Sequence, residues 1–178
     1  KRKKEKIAMK KLIIMLMAIV TAFSLVACKS ADDKQTGGNK SGNLEGSLEE
    51  ILNKIYDTAE LDDNFREYIK TGTFNEEVTA ERTEYYLGKS GIEFEEALAS
   101  EPMIQPGAYS LVLVRVKEDA DVEKIKTEIK ENINPMKWIC VGVEEENIIV
   151  DNIGDLVFLV MSDEAAKPLH DAFLALGK

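Results

Sequence analysis

The sequence predicts an α+β domain: a small, mostly antiparallel four-stranded sheet in the order β-α-β-β-β-α, with helices packed on it and an N-terminal helical segment covering the other face. Three observations carry this expectation. Apolar runs at 138–143, 148–152 and 156–161 follow one another with spacers of hairpin length, which join antiparallel neighbours. Two stretches, 121–133 and 164–176, repeat apolar residues at helical spacing. Finally, 156–161 is apolar on both alternating faces, whereas a sheet with one wet face alternates apolar and polar residues.

In chain order, the first element is a leader. Lys1, Arg2, Lys3, Lys4, Lys6, Lys10 and Lys11 precede an apolar run from Leu12 to Ala27 that is broken only by Thr21 and Ser24. A basic head before such a run is the pattern of an export signal. The run is slightly short for a helix that must span about 20 apolar residues, and no basic stop follows it. Its end, Leu25, Val26, Ala27 and Cys28, resembles the lipobox of bacterial lipoproteins. The resemblance implies cleavage before Cys28 and a diacylglycerol joined to its thiol, so residues 1–27 are expected to be a signal peptide and Cys28 a lipid attachment point. One acyl chain holds a protein only marginally, but two or three anchor it stably. Residues 28–46, rich in Lys, Ser, Asp, Gly, Asn and Thr, are expected to be a flexible tether, because nothing in them offsets the entropy of ordering.

A single domain is expected over 47–178. Ser47 and Glu50 form a capping box, and Leu48, Ile51, Leu52, Ile55 and Ala59 make one apolar stripe behind it. Residues 61–69 extend this helix or form a second one; Phe74 to Val78 fits an edge strand. Thr79 is expected to cap a short helix with Tyr85, Tyr86 and Leu87 facing inward and Gly88 as its left-handed stop. Residues 92–99 fit either strand or helix. Ser100, Glu101, Pro102, Met103 and Ile104 open a loop that runs to Gly107. The apolar pair there is expected to pack the loop's own base, and the alternative is a contact surface.

The second half reads more clearly. Tyr109 to Lys117 is a strand, and Asp121 caps a helix whose stripe is Val122, Ile125, Ile129 and Ile133. Strands at 138–143, 148–152 and 156–161 follow. The last helix puts Leu169, Phe173 and Leu176 inward, with Pro168 at a kink or at its start. The helices at 121–133 and 164–176 are expected to share one face of the sheet, leaving the other to the segment 47–99 or to a second subunit.

The run Glu96 to Ile104, the strand from Leu111 to Lys117 leading to Ala120, Asp121 and Val122, and the run Lys137 to Val141 resemble an uncharacterised domain of lipoproteins from low-GC Gram-positive bacteria. The resemblance spans residue 48 to the C-terminus. It implies location and domain extent and lends no chemistry.

Charge narrows the partners. The whole chain has 23 Lys and Arg against 33 Asp and Glu, and the leader takes seven of the bases and one acid, so the remainder carries 16 bases and 32 acids, a net of 16 negative charges. Nucleic-acid binding depends on bases that neutralise phosphate, so no nucleic acid is expected, and anionic headgroups repel the domain as well. Once Cys28 is lipidated, Cys140 is the leftover thiol. Its apolar neighbours make it a buried strand residue, and a nucleophile would require His170, the single His, beside it. Asp151, Asn152, Gly154 and Asp155 lack the ligand spacing of a calcium loop and fit a hairpin turn. No spacing selects a zinc site, a phosphate loop, a cofactor or a catalytic triad through Ser110 or Ser162.

The sequence is thus rich in packing signals and poor in reactive ones. It leads to a membrane-anchored module on the extracytoplasmic face that binds an unknown ligand, an envelope protein or a second copy, with Ser100 to Ile104 as the candidate interaction loop. The alternative is a small extracytoplasmic hydrolase using carboxylates around that loop. A solute receptor is a weaker third reading, because one domain leaves no second lobe to close.

Overall fold

The computed structural model describes residues 42–178, so the leader, Cys28 and most of the expected tether lie outside the described residues. The order is α1 (Leu48–Thr58), α2 (Asp63–Gly72), β1 (Thr73–Glu77), α3 (Thr83–Leu87), β2 (Glu96–Pro102), β3 (Ser110–Arg115), α4 (Val122–Asn132), β4 (Ile148–Ile153), β5 (Leu156–Met161) and α5 (Ala166–Ala175). The sheet has five strands rather than four, all antiparallel, in the order β1-β2-β3-β5-β4.

Local chemistry sets the helix starts. The expected capping box is present in α1: Glu50 N–H donates to Ser47 Oγ at 3.2 Å and Ser47 N–H to Glu50 Oε2 at 3.1 Å. Residues after Leu61 form a second helix, not an extension, because Asp62 turns its carboxylate onto the Asn64 and Phe65 amides. Thr79 makes no side-chain cap, and a short turn at Ala80–Arg82 leads into α3 instead. Asp121 caps α4 through the Lys124 amide. Pro168 sits in the first turn of α5, where its missing N–H costs nothing. Among the described residues no helix is long and apolar enough to cross a membrane.

Alternation along the strands divides the interior in two. One face gathers Leu111, Leu113, Leu156, Phe158 and Val160 beneath α1, α2 and α5, with Ile51, Leu52, Ile55, Phe65, Leu169 and Phe173 packed on them. The other gathers Val112, Val114, Val157, Leu159 and Met161 beneath α4, α3 and the segment 133–143, with Ile129, Tyr86, Leu87 and Trp138. The two C-terminal helices therefore lie on opposite faces, and the N-terminal helices share theirs with α5. The expected assignment of one whole face to the N-terminal segment does not stand. Strand β5, between β3 and β4, is buried at every position because both faces of the sheet are covered.

Residues 138–143 are not a strand. Trp138 and Val143 are buried while Ile139 and Cys140 are exposed, and Cys140 has φ +61°, a left-handed conformation incompatible with a ladder. The two buried anchors are five residues apart and have opposite parity, so no regular strand sends both into the one core cluster that they share. Cys140 is consequently an exposed thiol and not a core residue. The sheet is completed instead on the other side of β3 by β1 and β2, and β2 absorbs Ser100, Glu101 and Pro102 from the expected loop. Tyr85, expected inside, is 40% exposed.

Candidate functional site

Where β2 ends and β3 begins, a charged pair is sealed inside the sheet. Glu101 lies on the α4 face of β2, paired across the ladder with Phe74 of β1. Lys137 reaches it from the segment after α4: its Nζ donates to Glu101 Oε1 at 2.7 Å and to Ser110 Oγ at 3.0 Å. Ser110 Oγ in turn donates to Glu101 Oε1 at 2.5 Å, and Trp138 Nε1 donates to Oε2 at 3.3 Å. Both carboxylate oxygens are thus engaged. The ammonium also lies 4.8 Å from the Tyr85 ring, 5.1 Å from Trp138 and 5.3 Å from Tyr86, within cation–π range. Burial lowers the Lys137 pKa, and the Glu101 charge and hydrogen bond oppose that shift.

A second layer surrounds this pair. The Tyr86 hydroxyl donates to Glu76 Oε1, Arg82 forms an ion pair with Glu76 Oε2, and the Arg82 guanidinium sits 4.7 Å from the Tyr86 ring. On the opposite face the Tyr56 and Tyr109 hydroxyls bond each other at 2.7 Å. Ser100 Oγ is buried without a hydrogen bond of normal geometry, although it lies near enough to Tyr56 to favour that group's ionised form. Burial raises the pKa of all five tyrosines, and Glu101 adds to the rise at each one.

A serine beside a lysine resembles a nucleophile with its base, but the geometry here does other work. The Ser110 proton points at Glu101, and Lys137 is held as an ammonium between a carboxylate and three rings. A base must give up that proton and reach open space. The described clefts are lined by other residues. What the arrangement does is clamp the end of β2, the start of β3 and the segment around Lys137 into one rigid corner.

That corner carries the surface. Phe74, Tyr85, Met103, Ile104, Met136 and Ile139 are the large hydrophobic side chains exposed among the described residues, and each is tied to the clamp by strand pairing, by ring distance or by its place in the chain beside Glu101, Lys137 or Trp138. Phe74 pairs with Glu101, and Met103 and Ile104 follow it directly beyond Pro102. Met136 and Ile139 flank Lys137 and Trp138, and Met136 rests against Gly142, where a Cβ would overlap its sulfur. Ile104 is 80% exposed and Met103 57%, so this pair does not pack the base of its loop as expected.

The candidate loop is thereby divided. Ser100 faces α1, Glu101 faces Lys137, Pro102 ends the strand, and only Met103 and Ile104 reach solvent. Sequence reasoning missed Lys137, Ser110, Phe74, Tyr85, Met136 and Ile139. The one signal for them was the retention of Met and Ile beside Pro and Gly. His170 bonds Asp151 at 2.8 Å on the α5 side of the sheet, away from Cys140, so these two do not form a pair. Asp151 belongs to β4, and Asn152 closes the turn by donating to the Gly154 carbonyl. Among the described residues no three metal-ligating groups gather.

The site also has a direction. Arg115, at the far end of β3 from Ser110, donates to the carbonyls of Leu44 and Gly46 at 3.0 Å each. Six residues of strand, roughly 17 Å, therefore separate the point where the chain enters the domain from the apolar corner. Compared with protein-family models, curated proteins and solved structures, the chain gives no match to any of them.

Proposed function

We propose that the chain is an extracytoplasmic interaction module, held to the cell membrane by lipid on Cys28, of the lipoprotein kind its leader and domain resemble. It docks a partner protein of the envelope through the apolar corner formed by Phe74, Tyr85, Met103, Ile104, Met136 and Ile139. The observation that carries this reading is the concentration of exposed large hydrophobics at one end of the sheet, opposite the chain's point of entry. Exposed apolar side chains gathered in one place mark interaction surfaces on soluble domains. Attachment at the other end leaves that corner unencumbered by the chain's own entry into the domain. A partner is favoured over a second copy by charge: residues 42–178 hold 30 acids against 13 bases, and two such domains repel. The sealed, fully bonded Glu101 gives the hydrolase reading no support.

A photocrosslinking residue placed at Ile104 in cells, compared with one at Lys124 on α4, tests the docking. A discrete adduct from position 104 that disappears in an Ile104→Glu, Ile139→Glu protein is expected. Equal adducts from both positions defeat the docking, and mass spectrometry showing an unmodified Cys28 thiol defeats the anchor.

A further inference from the structure

Beside the apolar corner, the sheet ends in a strand edge that no other strand covers among the described residues. Strand β1 is outermost, paired only to β2. Val78 N–H donates to the Ala97 carbonyl and Met103 N–H to the Gly72 carbonyl, which fixes the even-numbered residues as those bonded to β2. Hydrogen-bonded pairs alternate along an antiparallel ladder. The backbone N–H and C=O groups of Asn75 and Glu77 therefore point outward.

A groove of 290 Å³ lies against this edge, lined by Thr73, Phe74 and Asn75 of β1, by Asn53, Tyr56 and Asp57 of α1, by Arg66, Ile69 and Lys70 of α2, and by Leu61 between the helices. Successive strand residues point to opposite faces, so a groove that touches three in a row runs along the backbone edge itself. Its wall is charged in an unusual sense for so acidic a domain. Among the described residues Arg66 donates only to the carbonyls of Tyr56 and Ala59 and Lys70 makes no ion pair, and the lining sets these two cations against the single carboxylate of Asp57.

We propose that this groove takes an extended segment of the partner protein as a sixth strand on β1, with acidic side chains of that segment directed at Arg66 and Lys70. The inference rests on the reading of the domain as an interaction module and names the segment it binds. Strand addition supplies affinity through main-chain bonds and selectivity through alternate side chains, and here both come from one groove. Leu61 and Ile69 offer apolar contact for a neighbouring side chain on the same face. The exposed Phe74 on the other side continues into the apolar corner, so a strand lying here brings its chain onto that surface as well.

The test uses the full lipidated chain in bilayer discs and a displayed library of random short peptides. Selected peptides are expected to carry Asp or Glu at alternating positions and to slow amide exchange at Asn75 and Glu77. An Asn75→Pro protein removes one outward N–H, which edge positions tolerate, and should bind the same peptides roughly tenfold more weakly or worse. Unchanged exchange at Phe74 and Glu76 in that variant shows an intact β1 ladder. Lys70→Glu should abolish the acidic preference. Selected peptides that protect no β1 amide and respond only to Ile104→Glu overturn the strand addition while leaving the docking corner intact. Wild-type binding by Asn75→Pro, failure to select any peptide, or protection that depends on protein concentration and so reports a second copy, each overturns it too.

Discussion

Lys137 and Glu101 meet at 2.7 Å with side chains only 3% and 5% exposed, and among the described residues each is the other's one ion-pair partner. Two charges this deep offset each other's desolvation only while both remain. Lys137→Met or Glu101→Leu alone should cost about 3–5 kcal/mol, because the survivor is left buried without its counter-charge. Replacing both, as Lys137→Met with Glu101→Leu, should recover most of that loss. Urea unfolding of the four proteins measures the cycle, and additive single losses would deny the coupling.

Alkaline pH should unfold the domain. Burial raises the pKa of Tyr56 to about 12 from 10.0, and moves Tyr68, Tyr85, Tyr86 and Tyr109 in the same direction. A folded pKa above the unfolded one means that the stabilisation is complete below pH 10.0 and is lost as pH rises from there toward the folded value. Tyr56 alone accounts for about 2–3 kcal/mol across that window. Lys137, lowered by burial, acts in the opposite sense as pH approaches 10.5, one group against five. Tyrosinate absorbance and far-UV dichroism should therefore change together, in one steep step above pH 10; tyrosines titrating at their ordinary value in folded protein would contradict this.

Arg115 holds the point where the chain enters the domain. Its guanidinium bonds the carbonyls of Leu44 and Gly46, and Glu96 at 2.8 Å, with 13% of the side chain exposed. Arg115→Gln should lower stability by about 1–3 kcal/mol and speed amide exchange and protease cutting over 43–47. The surface at Ile104 should stay unchanged, as read by crosslinking from that position.

Gly88 closes α3 with φ +78°, and a Cβ there would sit 2.3 Å from the backbone of Asn132 and Ile133 at the end of α4. Neither backbone can yield without moving a helix. Gly88→Ala should cost on the order of 2–4 kcal/mol, from left-handed strain together with the clash. A melting temperature within a degree of the parent would show that α3 and α4 are not in contact through this turn.

How much was legible from the chain follows from the range of the forces involved. Ser47 with Glu50, Asp121, Gly88 and the apolar doublet pattern of 156–161 act within a few residues, and each was read correctly. The run 138–143 was misread because its apolar composition fits a strand, while its conformation follows from Trp138 bonding Glu101 at a distance of 37 residues. The corner was half visible: Met103 and Ile104 stood out beside prolines, but Phe74, Tyr85, Met136 and Ile139 come from three other segments.

The sequence by itself determined the α+β class, the caps at Ser47, Asp121 and Gly88, the acidic charge and the need to cover both faces of the sheet, since periodicity and local hydrogen bonds depend only on neighbours along the chain. Tertiary structure alone decided which helix covers which face, that β1 and β2 rather than 138–143 complete the sheet, and that Glu101 and Lys137 meet beside Phe74 and Tyr85. Those outcomes are set by pairing between separate segments of the chain, as between β1 and β2 or between Glu101 and Trp138, where competing registers bury similar apolar area and only the complete packing discriminates among them.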